Sequence, residues 1–189
     1  MKKTIIVAFI TSLLTACGLS PQVVHINPEL TDAKGIPAPS GTSFNLTVTD
    51  SRQSPVLGPR GGVYKETAVL KTEGDITGKV KQKLSDSFKQ AGFNIDPSSN
   101  ITLNVDIVRL LYRGYGENRI SEVEVGAEIL ATATRPGGKF SKSYKASRKK
   151  EVLKAPDDEK NDEMINEIFG AVVQRVLDDE ELLGYIKGL

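Results

Sequence analysis

The chain has 189 residues, with 25 basic and 24 acidic side chains, one Cys, one His and no Trp. That near-neutral balance lacks the basic surface that nucleic-acid binding requires. Its 39% hydrophobic and 26% charged residues can bury a core and exclude a chain disordered throughout.

Lys2 and Lys3 precede an apolar run from Ile5 to Leu14, broken only by Thr11 and Ser12. A bilayer-spanning helix needs roughly 20 apolar residues, so this run fits the core of a secretory signal peptide instead. Leu14-Thr15-Ala16-Cys17 follows, and it resembles the bacterial lipobox. The resemblance implies cleavage before Cys17, a diacylglycerol on its sulfur and an acyl chain on the new amine. Two or more such chains anchor a protein stably. Gly18 is not the Asp that favours inner-membrane retention in resembling lipoproteins, which implies the periplasmic face of the outer membrane. Residues 1–16 are therefore expected to be a cleaved signal, leaving a mature chain whose formal charge is −1 without Lys2 and Lys3. With Cys17 acylated, cysteine catalysis and disulfides are excluded.

Residues 17–43 hold Pro21, Pro28, Gly35, Pro37, Pro39 and Gly41 and read as a lipidated N-terminus and tether, with a short ordered piece at 23–26. His25 falls in that tether, so no Ser-His-Asp triad or His/Cys metal site can be built on the folded part. Phe44 to Asp50 alternates apolar and polar residues and reads as a strand. A loop rich in Pro and Gly covers 55–62, and 67–71 is a short second strand. Asp75 caps a helix to about Ala91, with Ile76, Val80, Leu84 and Phe88 on one face and Gly92 ending it.

Ile101, Leu103, Val105 and Ile107 share one face of a long strand, but Leu110 and Tyr112 fall on the other, which predicts a bulge or bend near Arg109. A hairpin turn at 114–118 leads to a strand with Val123, Val125, Ala127, Ile129, Ala131 and Ala133 inward. Pro136-Gly137-Gly138 turns the chain into a third strand, completing a meander. Acids at 157–163 begin a last helix, and Ile165 to Leu177 gives it a broad apolar face. Asp178 to Glu181 places four acids at the negative end of that helix, which helix physics does not explain.

The order is thus β-β-α-β-β-β-α, and one-sided strands and helices bury each other as two layers. The expected fold is α+β, a mostly antiparallel sheet with two helices on one face, forming a single domain over 44–189. Several pieces recur in order: the lipobox, Asp50-x-Arg52 after the first strand, Leu57-Gly58-Pro59-Arg60, Gly92-Phe93 and the amphipathic segment 157–183. Together they resemble the YajG-type family of bacterial lipoproteins. The resemblance implies an outer-membrane-associated lipoprotein with an α+β periplasmic domain, and supplies no catalytic residue.

Cys17 is the expected lipidation site. Asp50 and Arg52 share a face of an extended chain and form either a binding pair joined by Arg60, or an ion pair fixing the loop. The glycines around Arg60 suit an anion cradle or a plain loop. Lys145 and Arg148, with Lys139, Lys142, Lys149 and Lys150, make the last strand basic, for an anionic partner or to guard an edge. Arg109 and Arg113, with Tyr112 and Tyr115, make an Arg/Tyr-rich hairpin end, either of the kind enriched in binding hot spots or a solvated turn with snorkelling side chains.

These residues predict a non-enzymatic, membrane-tethered binding or accessory domain. It has no metal and no cofactor beyond the covalent lipid, and its partner is an envelope protein, cell wall or lipopolysaccharide. The alternatives are a subunit of a multimeric envelope assembly and a carboxylate-dependent cell-wall hydrolase, which counting residues neither excludes nor supports.

Overall fold

A computed structural model describes residues 20–31, 41–63, 65–116 and 119–189. The signal, Cys17, and Glu117-Asn118 of the expected hairpin turn lie outside them. In chain order the elements are β1 (Gln22–Val24), β2 (Ser43–Asp50), β3 (Val56–Pro59), β4 (Val69–Thr72), α1 (Ile76–Gln90) and β5 (Asn94–Ile95), followed by β6 (Thr102–Tyr115), β7 (Glu122–Arg135), β8 (Gly138–Glu151), α2 (Asp158–Leu177) and α3 (Glu180–Lys187). The main sheet runs β5-β2-β6-β7-β8, and a small sheet runs β1-β4-β3. The long ladders, β6 with β7 and β7 with β8, are antiparallel, while β2 is parallel to β6. The fold is α+β, with the helices on one face of the main sheet. Among the described residues, no helix is long and apolar enough to cross a membrane.

β6 changes face at the expected place. The β6–β7 register slips between Ile107 and Arg109, leaving Val108 as the extra residue of a bulge. Leu103, Val105 and Ile107 before it, and Leu110 and Tyr112 after it, are all buried on the helix side. A regular strand would have turned the second group to solvent.

The glycines of the 55–62 segment, expected to be a loop, serve close packing. Gly58 sits in β3 with φ +145°, and a Cβ there would lie 2.1 Å from the Tyr112 carbonyl oxygen. A Cβ on Gly114 would lie 2.0 Å from the Arg60 carbonyl oxygen. Backbone therefore meets backbone where the small sheet abuts the far half of β6.

α1 is capped as its sequence predicts. Asp75 accepts from the Gly78 N–H at 2.7 Å. At the other end Gly92 has φ +88°, its N–H reaches Lys89 O, and the Phe93 N–H reaches Phe88 O. This is a Schellman end, and it places Phe93 edge-on to Phe88 and Phe44, with ring centroids 5.7 and 5.6 Å away.

The last expected helix is two helices. Asp179 is the N-cap of α3, accepting from the Leu182 N–H at 2.8 Å, with Glu180 and Glu181 in the first turn. The acids that seemed misplaced at a C-terminus stand at the positive end of a new helix, where they stabilise it. Lys142 adds ion pairs of 2.6 Å to Asp179 and 2.8 Å to Glu181.

The expected tether is partly folded. Residues 22–31 lie along α2, one contact per helical turn. The backbone N–H of His25 donates to Asp162, that of Asn27 to Asn166 and that of Thr31 to Gln174. Between the last two, Gly170 leaves room for the backbone at Glu29. Two extended residues advance ~6.6 Å and four helical residues ~6 Å, so the rungs stay in step. Gln22, Val24, Ile26 and Pro28 point inward and are buried. The folded body thus includes residues 20–31 as well as the 44–189 region.

Two outcomes follow from this packing. Gly58→Ala should lower stability by roughly 2–4 kcal/mol through overpacking and backbone strain, read as a lower urea midpoint with unchanged m-value. Asp179→Ala should cost about 1–2 kcal/mol at neutral pH, the usual range for losing a cap. Burial works to raise the Asp179 pKa, but Lys142, the Leu182 N–H and Tyr144 outweigh it and hold it below the ordinary aspartate value. Its contribution is therefore present above the unfolded-state pKa and lost as pH falls through the lower folded value. The gap between wild type and variant, followed by urea titration, should close over that acid range.

Candidate functional site

Asp50 and Arg52 do form a pair, at the carboxyl end of β2. Arg52 Nε donates to Asp50 Oδ1 at 2.8 Å and Nη2 to Oδ2 at 2.7 Å, a bidentate contact. Nη2 also reaches Thr72 Oγ1 at 3.1 Å, while Nη1 is buried with no hydrogen-bond partner among the described residues. The Arg52 hydrogen bond holds the Asp50 carboxyl below the usual carboxylate range, against the opposing effect of burial. A cavity of about 360 Å³ adjoins the pair, lined also by Ser54, Glu73, Asp75 and Thr77 at the start of α1.

Its other acids are also engaged: Glu73 pairs with Lys71 at 2.6 Å, and Asp75 caps α1. Hydrogen bonds from the Gly78 N–H and the Thr77 hydroxyl hold Asp75 low as well. Carboxylates held low in this way, Asp50 and Asp75, suit scaffolding. A general acid needs the opposite, a raised pKa.

Arg60 does not join them. Its side chain is 5% exposed and points the other way, between three segments. Nη1 donates to Ser20 O at 3.1 Å, Nη2 to Pro156 O at 3.2 Å, and Nη2 pairs with Asp158 at 3.0 Å. The expectation that Arg60 completes a binding pair with Asp50 and Arg52 is corrected: backbone carbonyls and Asp158 use its charge inside the fold. Nearby, burial pushes the Tyr112 phenol up to about 12, against the pull of Arg60.

Arg109, Arg113 and Lys145 do come together, on the open face of the main sheet. The register places Arg109, Glu128 and Lys145 in one row across β6, β7 and β8, and Arg113, Glu124 and Lys149 in another. Each row reads cation, glutamate, cation. Lys145 bonds Glu128 at 2.9 Å and, with Ser143 and Arg109, holds its carboxyl low against a small effect of burial. Tyr115 donates to Glu124, and its ring carries Lys149 at 4.8 Å and Arg113 at 5.9 Å. Arg148 faces the helix side instead, paired with Glu167 at 2.6 Å. The sequence reading singled out the cations and missed Glu124 and Glu128 as their partners. The signal was present: glutamates recur at even positions along β7, opposite a basic strand.

The fold has relatives of low sequence identity. Protein XCC0632 from Xanthomonas campestris superposes with a TM-score of 0.54 at 15% identity, over 89% of this chain and 96% of that one. The rare lipoprotein B from Shewanella oneidensis gives 0.48 at 14%, over 71% and 90%. A minor lipoprotein from Acinetobacter baumannii gives 0.39 at 8%, over 78% and 93%. No curated protein matches the chain in sequence. A family model described as uncharacterized lipoprotein matches residues 30–187, and with most of its length so covered the chain belongs to that lipoprotein family.

Proposed function

We propose that the chain is a lipid-anchored envelope lipoprotein of the YajG type, whose domain works by binding on the periplasmic face of the outer membrane. The observation that carries this reading is Leu14-Thr15-Ala16-Cys17 behind a short apolar run, in a chain with no other Cys. Membership of a lipoprotein family supports it. The lipid is the membrane contact, held on Cys17 as a diacylglycerol and an N-acyl chain, and the domain's role is to be kept concentrated beside its partner.

The partner surface is the open sheet face around Arg109, Arg113 and Lys145. Alternating rows of cation and glutamate complement a protein surface of the opposite pattern better than a uniformly anionic polymer such as lipopolysaccharide. The partner is therefore an envelope protein. Two observations count against the other readings. A second copy pairing along β8, the outer strand of its sheet, would set Lys139, Lys142, Lys145, Arg148, Lys149 and Lys150 against the same cations. In the Asp50 cleft, hydrogen bonds hold Asp50 and Asp75 below the usual carboxylate range, the opposite of the raised pKa that a hydrolase acid requires.

Cys17→Ser should move the protein from the membrane to the soluble periplasmic fraction and abolish labelling by a fatty-acid probe. Continued membrane attachment, or a wild-type protein that never takes the probe, would refute the anchor. Crosslinking of the lipidated protein in its envelope should trap a recurrent protein, with a lower yield for Arg113→Glu. An unchanged yield would move the contact off this face.

A further inference from the structure

The end of the domain at which Ser20 is held also carries the most exposed apolar side chain among the described residues. Arg60 joins the two places, since one guanidinium holds both Ser20 O and Pro156 O. Three residues before Pro156 is Leu153, which is 100% exposed. Three residues before Ser20 is Cys17. Three residues span at most ~11 Å whatever their conformation, so the acylated residue cannot be far from this end.

Other features gather at the same end. The Val152 N–H donates to Ser121 O, which fixes the 152–156 segment against the β6–β7 hairpin. The Gly62 N–H reaches Gly116 O on that hairpin and brings Val63, 70% exposed, to the same side. Leu153 lines two hollows, one of about 530 Å³ shared with Lys150 and Lys160, the other of about 490 Å³ shared with Ser121 and Glu122. Lys154 shares the first of these as well, and Glu151 lines both. A fully solvated Leu beside lysines, at the end of the domain that holds Ser20 three residues from Cys17, has the chemistry of a shallow membrane contact.

We infer that this end of the domain rests on the phospholipid surface, with Leu153 entering the boundary between headgroups and acyl chains and Val63 beside it. The inference builds on the reading that Cys17 carries lipid. One Leu and one Val bind a bilayer weakly by themselves. Held within a few residues of an anchor they meet it at high effective concentration, so the contact orients the domain rather than recruiting it. Lys150 and Lys154, beside Leu153, reach the headgroup phosphates. The domain is then held in one orientation, and the open sheet face has a defined angle to the membrane.

The chain has no Trp, so a single introduced Trp reports its own surroundings. The chain from residue 17 is coupled through its only thiol, Cys17, to a maleimide lipid in phosphatidylethanolamine–phosphatidylglycerol vesicles. Leu153→Trp and, for comparison, Leu130→Trp in the middle of β7 are then measured with and without acyl-chain-brominated lipid. The expected result is a blue-shifted, bromine-quenched emission for Trp at 153 and neither effect at 130. Emission at 153 that stays solvent-like and unquenched, or equal quenching at both positions, overturns the inference. The anchor in this assay is synthetic, so its outcome is independent of whether cells acylate Cys17. That question belongs to the Cys17→Ser fractionation, and the two failures cannot be mistaken for each other.

Discussion

One extra residue in one strand sets up much of this molecule. Val108 lets β6 keep its apolar side toward the helices along all fourteen residues, although the run of apolar positions shifts by one half-way. Without the bulge Leu110 and Tyr112 would face solvent, and the second half of β6 would offer the small sheet a different surface. With it, Tyr112 and Gly114 present backbone to Gly58 and Arg60 at distances only glycine permits. That contact fixes where Arg60 enters the interior, and Arg60 in turn holds Ser20 and Pro156. A local irregularity in a ladder thus determines where Ser20 is held.

Arg60 shows why such a dependence is cooperative. Burying a guanidinium costs several kcal/mol unless its donors are satisfied. Here the acceptors come from two segments far apart in sequence, the N-terminal strand region and the start of α2. Displacing either leaves a buried charge short of partners. The same segments are tied again by Gln22, which donates to Asp158 O and Asp162 and accepts from the buried Asn161. The N-terminal segment is therefore integral to the fold, although only Gln22–Val24 within it form a strand.

The long elements were legible because period and composition agreed. Alternation marked β2, β6 and β7, the turn at 136–138 marked β8, four-residue spacing marked α1, and the slipped apolar pattern marked the bulge. The misses share a physical cause: they depend on tertiary partners. Val24, Ile26, Pro28 and Leu30 alternate with His25, Asn27, Glu29 and Thr31, yet Pro28 argues against a ladder strand. A segment bonded to side chains of a helix does not need a ladder. The acids at 178–181 argue against a continuing helix, and the better inference from them was a new N-terminus. Arg60 looked like a loop residue because nothing local reveals that three carbonyl and carboxylate acceptors converge on it. Asp50 and Arg52 were read correctly as a pair, but two-residue spacing could not decide between a binding pair and a brace. Thr72, contributed by β4, ties them into the body of the fold.

The placement of the N-terminal segment also changes what a lipid anchor does. A flexible tether of some twenty-five residues would let the domain sample all orientations above a membrane. Laid along α2 in step with its turns, residues 22–31 cannot lengthen the tether without breaking hydrogen bonds to Asp162, Asn166 and Gln174. Between Cys17 and Ser20 lie three residue steps, at most ~11 Å of chain. On the lipid-anchored reading the anchor becomes a pivot at one corner. Position and angle are then both properties of the fold, traceable through Arg60 and the glycine contacts to the bulge at Val108.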